Sequence, residues 1–227
     1  MPKSLVVLSG GQDSTTCLYW AIDKFGEENV EAVTFDYGQR HRIELDCAWK
    51  IANMAGISHT LLPIDTFVAL GGNALTDSTV TVKAELNEQT NLPNTFVPGR
   101  NLIFLTFAAA LAYQKGIDNL VTGVAQTDYS GYPDCRQDTI FALERAIRLG
   151  MESELKIHTL LMSRSKKETV ELAQKLGALE AMAYTHTCYE GQQPPCGQCP
   201  ACILRAKGFD EAGVSDPLIE RFKNIAF

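Results

Sequence analysis

The sequence contains no long hydrophobic run, and its apolar residues are distributed along the whole chain. No segment reaches the roughly 18 consecutive apolar residues that a membrane-spanning helix requires. The apolar run behind the N-terminus covers only residues 5–8, which is too short for the core of a secretory signal peptide. We therefore expect a cytoplasmic protein that does not interact with membranes.

Basic charge is also scarce, because the chain has 20 lysine and arginine residues and 27 aspartate and glutamate residues. The formal net charge is −7 and the isoelectric point is about 5.1. Proteins that bind nucleic acid usually carry a basic stripe, and no long run of lysine or arginine occurs in this sequence. The composition therefore favours an enzyme acting on free small molecules over a nucleic-acid-binding protein.

Short apolar runs alternate with amphipathic patterns along most of the chain. The predicted strands are residues 5–8, 31–35, 60–64, 120–123 and 156–161, and the predicted helices are residues 13–25, 42–55, 101–114, 138–149 and 166–176. Such alternation is typical of βαβ units around a parallel sheet. The sequence therefore predicts an α/β protein with a doubly wound, five-stranded parallel sheet. Sheets of this kind bind ligands at the carboxyl ends of their strands, near the point where the strand order reverses.

A pair of adjacent glycines separates the first predicted strand from the first predicted helix. Residues 9–15 read SGGQDST, and Gly10 and Gly11 allow the backbone to turn sharply and to approach a ligand closely. Ser14 and Thr15 are expected to open the helix, whose free N–H groups and positive dipole end favour an anion. The Walker pattern and the GxGxxG pattern are both absent. The loop therefore predicts a phosphate site of unspecified type, and a capped turn without a ligand is the alternative.

The string SGGQDS resembles the PP-loop, SGGxDS, of the N-type ATP pyrophosphatases. Those enzymes split ATP between its α and β phosphates and leave AMP on a substrate oxygen. The resemblance implies a Rossmann-like fold of the adenine nucleotide alpha hydrolase type, and it implies that Asp13 helps to hold Mg²⁺. The residues that it implies for nucleotide binding are Leu8, Ser9, Gly10, Gly11, Gln12, Asp13, Ser14, Thr15, Thr16, Cys17, Leu18, Phe35, Tyr37 and Gly123.

Four of the seven cysteines lie close together near the C-terminus, at Cys188, Cys196, Cys199 and Cys202. In a reducing cytoplasm such a group indicates a metal site rather than disulfides. Four thiolates with Cys-x-x-Cys spacing suit tetrahedral Zn²⁺, and they leave no position for a catalytic water. An iron–sulfur cluster and a reactive cysteine are the alternatives. We expect a structural zinc that holds the C-terminal segment beside the active site, with His186 as a loop residue rather than a ligand.

Further strings point to one family within the PP-loop proteins. They are FDYGQRH at residues 35–41, NTFVPGRN at residues 94–101, TG at residues 122–123 and DYSGYPDCR at residues 128–136. Together with the PP-loop and the cysteine group, they resemble the QueC family of queuosine biosynthesis, from about residue 5 to about residue 205. The resemblance implies a carbon–nitrogen ligase, a 7-cyano-7-deazaguanine synthase. Such an enzyme converts 7-carboxy-7-deazaguanine and ammonia to the nitrile and splits ATP into AMP and pyrophosphate.

This reaction suggests roles for several residues outside the PP-loop. Arg100 and Lys166 are expected to act with Asp13 as catalytic groups that neutralise phosphates or developing negative charge. The predicted substrate-binding residues are Asp128, Tyr132, Asp134 and Arg136. Ordinary salt bridges, turn caps and core packing are the alternatives for these side chains.

We expect a PP-loop ATP-binding domain at residues 1–180 and a zinc-binding C-terminal segment at residues 181–227. Residues 66–98 lack a regular pattern and are expected to form a lid or insert over the ATP site. The expected partners are small molecules, without nucleic acid, and the family resemblance suggests a homodimer. Two other functions stay open: a related PP-loop enzyme that thiolates tRNA or forms an amide, and a nucleotide-binding regulator without catalytic activity.

Overall fold

The computed structural model describes residues 2–77, 79–82, 86–126 and 131–225. The strands are β1 (Ser4–Val7), β2 (Val30–Asp36), β3 (Ser58–Pro63), β4 (Asn119–Val121) and β5 (Lys156–His158). The helices are α1 (Gln12–Phe25), α2 (Ile43–Met54), α3 (Thr66–Leu70), α4 (Arg100–Gln114), α5 (Gln137–Met151), α6 (Lys166–Lys175), α7 (Leu179–Met182), α8 (Pro200–Glu211) and α9 (Pro217–Ile225). Within the described ranges, no helix combines the length and the apolar character that crossing a bilayer requires.

The five strands form one parallel sheet in the order β3-β2-β1-β4-β5. In the centre of the sheet, Val6 of β1 is paired with Ala32 of β2 on one side and with Val121 of β4 on the other. The chain therefore winds outward in both directions from β1, and the strand order reverses between β1 and β4. This confirms the predicted doubly wound sheet and places the expected ligand position at the carboxyl ends of these two strands.

Helices cover both faces of the sheet, because successive side chains of a strand point to opposite faces. Leu5 packs with residues of α4 and α5, such as Leu105 and Ile140, on one face. Val6 packs with residues of α1 and α2, such as Leu18 and Ile51, on the other face. A strand that is buried on both faces has no polar side to display. The strands could therefore be predicted from short, continuous apolar runs in the sequence.

The described part of residues 66–98 contains a helix, α3, that the sequence analysis did not predict. Helix α3 buries Phe67, whose ring packs edge-on against Phe104 of α4, with ring centroids 5.8 Å apart. The ring of Tyr37, which follows β2, lies 6.0 Å from Phe67. These contacts join the first part of the expected lid to the core, and the function of the segment as a lid stays a prediction.

Helix α9 packs against α7, and helix α8 packs against α6. Gly208 of α8 allows this close approach, since an added Cβ atom would lie 2.8 Å from Cβ of Lys166. Arg205 of α8 is buried and forms an ion pair with Asp216, with 2.6 Å between Nε and Oδ2, and it also donates to Thr185 Oγ1 at 2.7 Å. The hydrogen bond to Thr185 therefore joins the segment before the cysteine group to α8, and the ion pair joins α8 to the residues that follow it.

Candidate active site

The PP-loop connects β1 to α1, and its two glycines meet different surroundings. Gly10 has a φ of +78°, and an added Cβ atom there would lie 2.3 Å from the carbonyl oxygen of Glu44 on α2. Gly11 has an ordinary φ of −87°, and an added Cβ atom would lie 3.5 Å from the nearest atom, Oγ of Ser9. Gly10 is therefore required by the packing of the loop on α2, and Gly11 leaves room on the ligand side.

Hydroxyl groups hold the loop in this conformation. Ser14 Oγ accepts a hydrogen bond from the N–H of Ser9 at 3.1 Å, and Thr15 Oγ1 donates to the carbonyl oxygen of Gly11 at 2.8 Å. Helix α1 begins at Gln12 and not at Ser14 and Thr15, which instead lie within its first turn and bond back to the loop. The first N–H groups of a helix have no acceptor within that helix. The N–H groups at the start of α1 can therefore bind an anion.

The first residue of α6 joins the PP-loop through an ion pair. Lys166 Nζ lies 2.6 Å from Oδ2 of Asp13, and both side chains are largely buried. The other carboxylate oxygen of Asp13, Oδ1, is buried and has no hydrogen-bond partner among the described residues. The oxygen and the nitrogen of the Gln12 side-chain amide are also buried and have no hydrogen-bond partner among the described residues. Unpaired buried polar atoms are costly, so this loop has free donors and acceptors for a polar ligand.

Arg100 lies at the start of α4 between two tyrosine rings. Its guanidinium carbon is 5.8 Å from the ring centroid of Tyr37 and 5.9 Å from that of Tyr132, and Nη1 donates to Tyr37 Oη at 3.4 Å. Burial by itself would lower the pKa of Arg100, but Tyr37, Tyr132 and Asp134 more than offset this effect and keep its pKa above the ordinary value. Arg100 is therefore a permanent positive charge in the site.

Of the four predicted substrate-binding residues, two are buried, one is exposed and one lies outside the described residues. Tyr132 is buried, and its Oη lies 2.7 Å from Oγ1 of Thr95. Asp134 is buried, and its Oδ2 accepts hydrogen bonds from the N–H of Asn101 at 2.9 Å and from its side chain at 3.1 Å, which joins it to the first turn of α4. Oδ1 of Asp134 has no hydrogen-bond partner in the described part of the chain. Arg136 is exposed before α5, and Asp128 lies outside the described residues.

Two adjoining cavities of about 290 Å³ each lie above the PP-loop. Both are lined by residues of the loop and by Arg100 and Tyr132, and the first also reaches Lys166. The second extends toward Tyr37 and Gly123. Leu204 of α8 also lines the first cavity. The structure thus brings the three predicted catalytic side chains and part of the predicted nucleotide set around one space.

Other members of the predicted nucleotide set line neither cavity. They are Leu8, Gly10, Thr15, Thr16, Cys17, Leu18 and Phe35. Leu8 and Leu18 are part of the core, and burial strongly raises the pKa of the Cys17 thiol. Phe35 stacks on Phe104 with ring centroids 4.5 Å apart. These side chains support the loop from beneath, because a tight loop at the end of a buried strand needs a packed base.

The four cysteine sulfurs lie within 4.8 Å of one another. Sγ of Cys196 is 3.9 Å from Sγ of Cys202, and it accepts hydrogen bonds from the N–H groups of Gln198 at 3.4 Å and Cys199 at 3.3 Å. A hydrogen bond from the Cys202 thiol lowers the pKa of Cys199. Four convergent sulfurs can hold a metal ion.

A short segment connects the cysteine group to the PP-loop. The N–H of His186 donates to the carbonyl oxygen of Gly10 at 2.9 Å, and its ring nitrogen Nε2 lies 3.0 Å from the carbonyl oxygen of Cys188. His186 is buried, and its side chain lies outside the group of four sulfurs. Its placement agrees with the expectation of a loop histidine, and it gives the cysteine group a direct hydrogen-bonded path to the PP-loop.

Sequence reasoning did not identify Glu44 as a site residue. It belongs to the first turn of α2 and lines both cavities. Burial raises the pKa of the Glu44 carboxyl group to about 7, although Arg100 acts in the opposite direction. The sequence feature that could have identified Glu44 is its position. It lies three residues beyond the FDYGQRH string at residues 35–41, in the connection that follows β2. This connection leaves the sheet at the same edge as the PP-loop.

Substitution of the two loop glycines by alanine is expected to affect different properties, stability at Gly10 and ATP binding at Gly11. Gly10→Ala is expected to lower the free energy of unfolding by about 2–5 kcal/mol, because it combines a positive φ with a backbone clash. Gly11→Ala, the matched control, is expected to cost less than about 1 kcal/mol but to weaken ATP binding, because its methyl group projects into the anion site. Urea unfolding and ATP titration measure both effects. Equal stability of the two variants would contradict this account of the loop.

The comparisons of this sequence with a family model and with known relatives agree on one family. A sequence model of the family described as "Queuosine biosynthesis protein QueC" matches residues 3–213. The chain is 68% identical to a 7-cyano-7-deazaguanine synthase of Chromobacterium violaceum, over 96% of this chain and 94% of that protein. It is 63% identical to a 7-cyano-7-deazaguanine synthase of Laribacter hongkongensis, over 98% of this chain and 96% of that protein.

One solved structure shares the fold at low sequence identity. It is a predicted subunit of tRNA methyltransferase from Methanocaldococcus jannaschii, with a TM-score of 0.51 and 16% identity. The alignment covers 77% of this chain and 76% of that chain. At this identity the likeness concerns the fold alone.

Proposed function

Because the chain belongs to the QueC family of queuosine biosynthesis proteins, we propose that its reaction is the one for which its relatives are named. The enzyme is a carbon–nitrogen ligase, a 7-cyano-7-deazaguanine synthase. It converts 7-carboxy-7-deazaguanine and ammonia to 7-cyano-7-deazaguanine and splits ATP into AMP and pyrophosphate. The observation that carries this conclusion is a family match over residues 3–213, together with identities of 68% and 63% over nearly full-length relatives.

The chemistry proceeds through two activations at the same loop. A carboxylate is a poor electrophile, so its oxygen first attacks the α phosphate of ATP and releases pyrophosphate. Ammonia displaces AMP from the adenylate and leaves an amide. The amide oxygen is adenylated in turn, and the departure of the second AMP leaves the nitrile. In this scheme the N–H groups at the start of α1 bind the polyphosphate, and Gly11 allows its close approach.

Asp13, Lys166 and Arg100 form the charged part of the proposed site. Lys166 and Arg100 stabilise the negative charge on the phosphates and on the reacting oxygen. Asp13 orients Lys166 through their 2.6 Å ion pair. Its second oxygen, buried and without a hydrogen-bond partner among the described residues, fits the oxygen ligand that Mg²⁺ prefers. When bound, the magnesium ion would neutralise phosphate charge beside the loop.

The deazaguanine ring is proposed to lie against Tyr132, with Asp134 accepting a hydrogen bond from the base. Tyr132 lines both cavities, and an aromatic face suits a planar heterocycle. Asp134 uses one oxygen to bind α4 and has the other available. Arg136 is exposed and Asp128 lies outside the described residues, so their predicted contact with the substrate rests on the family resemblance alone.

The four cysteines are proposed to hold one structural Zn²⁺. Tetrahedral zinc with sulfur at 2.3 Å implies sulfur–sulfur separations of about 3.8 Å, and Cys196 and Cys202 are 3.9 Å apart. An iron–sulfur cluster also uses four cysteines, and metal analysis of the purified protein distinguishes the two. The zinc would hold residues 181–227 against an ATP-binding domain formed by residues 1–180, with residues 66–98 as the lid.

The proposed quaternary state is a cytoplasmic homodimer. Exposed apolar side chains lie on the neighbouring helices α4 and α5, including Phe107, Phe141 and Leu149. Exposed apolar side chains on neighbouring helices favour association between proteins. Sedimentation equilibrium measures the mass directly, and a monomer at micromolar concentration would contradict the proposal.

The activity is tested by incubating the enzyme with 7-carboxy-7-deazaguanine, ammonium and ATP. We expect the nitrile by mass spectrometry, with two molecules of AMP and two of pyrophosphate formed for each nitrile. Binding of ATP without release of pyrophosphate would instead indicate a nucleotide-binding regulator. Accumulation of the amide with one AMP per product would indicate an amide-forming ligase. Sulfur transfer to tRNA with no reaction of the acid would indicate a thiolating enzyme.

A further inference from the structure

The Glu44 carboxylate has no role in the scheme above, although it lies in the centre of the site. It lines both cavities together with Ser9, Gly11 and Asp13 of the PP-loop. The backbone position of Glu44 is held closely, because its carbonyl oxygen is in contact with Gly10. No hydrogen bond or ion pair joins its side-chain carboxylate to another described residue. A partly buried carboxylate without such a partner at a reaction site is a candidate proton acceptor.

The positively charged groups around these cavities already have partners. Lys166 is paired with Asp13, and Arg205 is paired with Asp216. Arg100 lies between Tyr37 and Tyr132 and interacts electrostatically with Glu44 without a hydrogen bond. The Glu44 carboxylate is therefore close to positive charge but is not neutralised by a salt bridge, and it can accept a proton.

The other basic groups that line the cavities are less well placed. Asp13 is paired with Lys166 through one oxygen, and its other oxygen is proposed to bind Mg²⁺. His186 lines only the first cavity. His41 lines only the second cavity, which Lys166 does not reach. Tyr132 and Tyr189 line both cavities and carry phenols, which are proton donors at neutral pH. Among the described residues that line both cavities, Glu44 is thus the carboxylate available to accept a proton.

The ammonia step requires such a group. The nitrogen lone pair attacks the acyl carbon and forms the C–N bond, and the bond between that carbon and the AMP oxygen breaks, with its electron pair leaving on AMP. The nitrogen is positively charged after the attack and must lose one proton to give the neutral amide. We propose that the Glu44 carboxylate binds the incoming ammonia and accepts this proton, which makes it the general base of amide formation. This inference rests on the proposed function.

The test separates adenylation from amide formation. Exchange of labelled pyrophosphate into ATP, driven by the acid without ammonia, reports adenylation alone. Glu44→Gln is expected to keep this exchange and to lower kcat/KM for ammonia about 100-fold or more. Hydroxylamine is largely unprotonated at neutral pH and is a stronger nucleophile, so its capture of the adenylate should proceed in the variant at close to the unmodified rate. Asp46→Asn, on the exposed side of the same helix turn, is the matched control and should behave as the unmodified enzyme.

The pH profile gives a second measurement. With the concentration of free ammonia held constant, the rate of the unmodified enzyme is expected to rise as the pH passes through about 7, where the Glu44 carboxyl group ionises. The same rise should be missing in Glu44→Gln. An unchanged kcat/KM for ammonia in Glu44→Gln would overturn the inference. So would a variant that loses pyrophosphate exchange and hydroxylamine capture as well as the reaction with ammonia. Absence of exchange in the unmodified enzyme would overturn the proposed function itself.

Discussion

Asp13→Ala is expected to lower the rate of pyrophosphate release by at least about 10³-fold, the loss that follows when a main electrostatic group of an active site is removed. The substitution removes the carboxylate that orients Lys166 at 2.6 Å. It also removes the buried oxygen that is proposed to bind Mg²⁺. Both effects act on the charge that develops at the phosphate, so we expect the loss in kcat at saturating ATP as well as in kcat/KM.

The fold is expected to survive this substitution. The Lys166 ammonium group loses a partner in a largely buried position, which costs about 1–3 kcal/mol, and the core of α1 is not changed. Circular dichroism and urea unfolding measure this directly. Asp23→Ala, on the exposed side of the same helix, is the control and should retain full activity. Turnover of Asp13→Ala at the unmodified rate would remove the proposed role of the loop.

Cys199→Ser is expected to release the metal and to destabilise the C-terminal part of the protein. Three remaining thiolates bind zinc weakly compared with four, and binding free energy at a structural zinc site contributes directly to folding. We expect the metal content to fall from one per chain to near zero and the free energy of unfolding to fall by more than about 4 kcal/mol, as is typical of a lost metal. Metal analysis and urea unfolding measure the two quantities.

The effect should extend to the nucleotide site. The cysteine group and the PP-loop are joined through His186, whose N–H donates to Gly10 and whose ring contacts the carbonyl oxygen of Cys188. Loosening of this segment should weaken ATP binding, and a strong chelator should reproduce the effect in the unmodified enzyme. Cys47→Ser, on α2 outside the group of four sulfurs, should keep the metal. Unchanged metal content in Cys199→Ser would refute the assignment of the ligands.

The sheet and most of its helices could be predicted because they depend on local patterns. A strand buried on both faces needs a continuous apolar run, and an amphipathic helix needs apolar residues at its own period. Helix α1 was predicted from residue 13 and begins at Gln12, and α4 was predicted from residue 101 and begins at Arg100. Helices α3, α7 and α9 were missed. Helices α3 and α7, with five and four residues, have no periodic pattern to detect and are stabilised mainly by tertiary packing.

The site was predictable where a whole motif lies in one connection. The PP-loop and the four cysteines are such motifs, because each takes most of its groups from a short segment. Their binding of phosphate and of zinc stays a prediction. Glu44 was not distinguished in this way. A single carboxylate on a helix has no unusual feature until the packing of α2 against Gly10 places it beside the loop.

The amino-acid sequence by itself determined the doubly wound sheet, the phosphate loop, the cysteine group and the likeness to a family, since each depends on residues that are near one another in the chain. The tertiary structure alone decided which side chains share the cavities. The pair between Asp13 and Lys166, 153 positions apart, and the bond from His186 to Gly10 are of this kind. The burial of a charge and the partner it receives depend on how distant elements pack, and no local pattern in the chain encodes that packing.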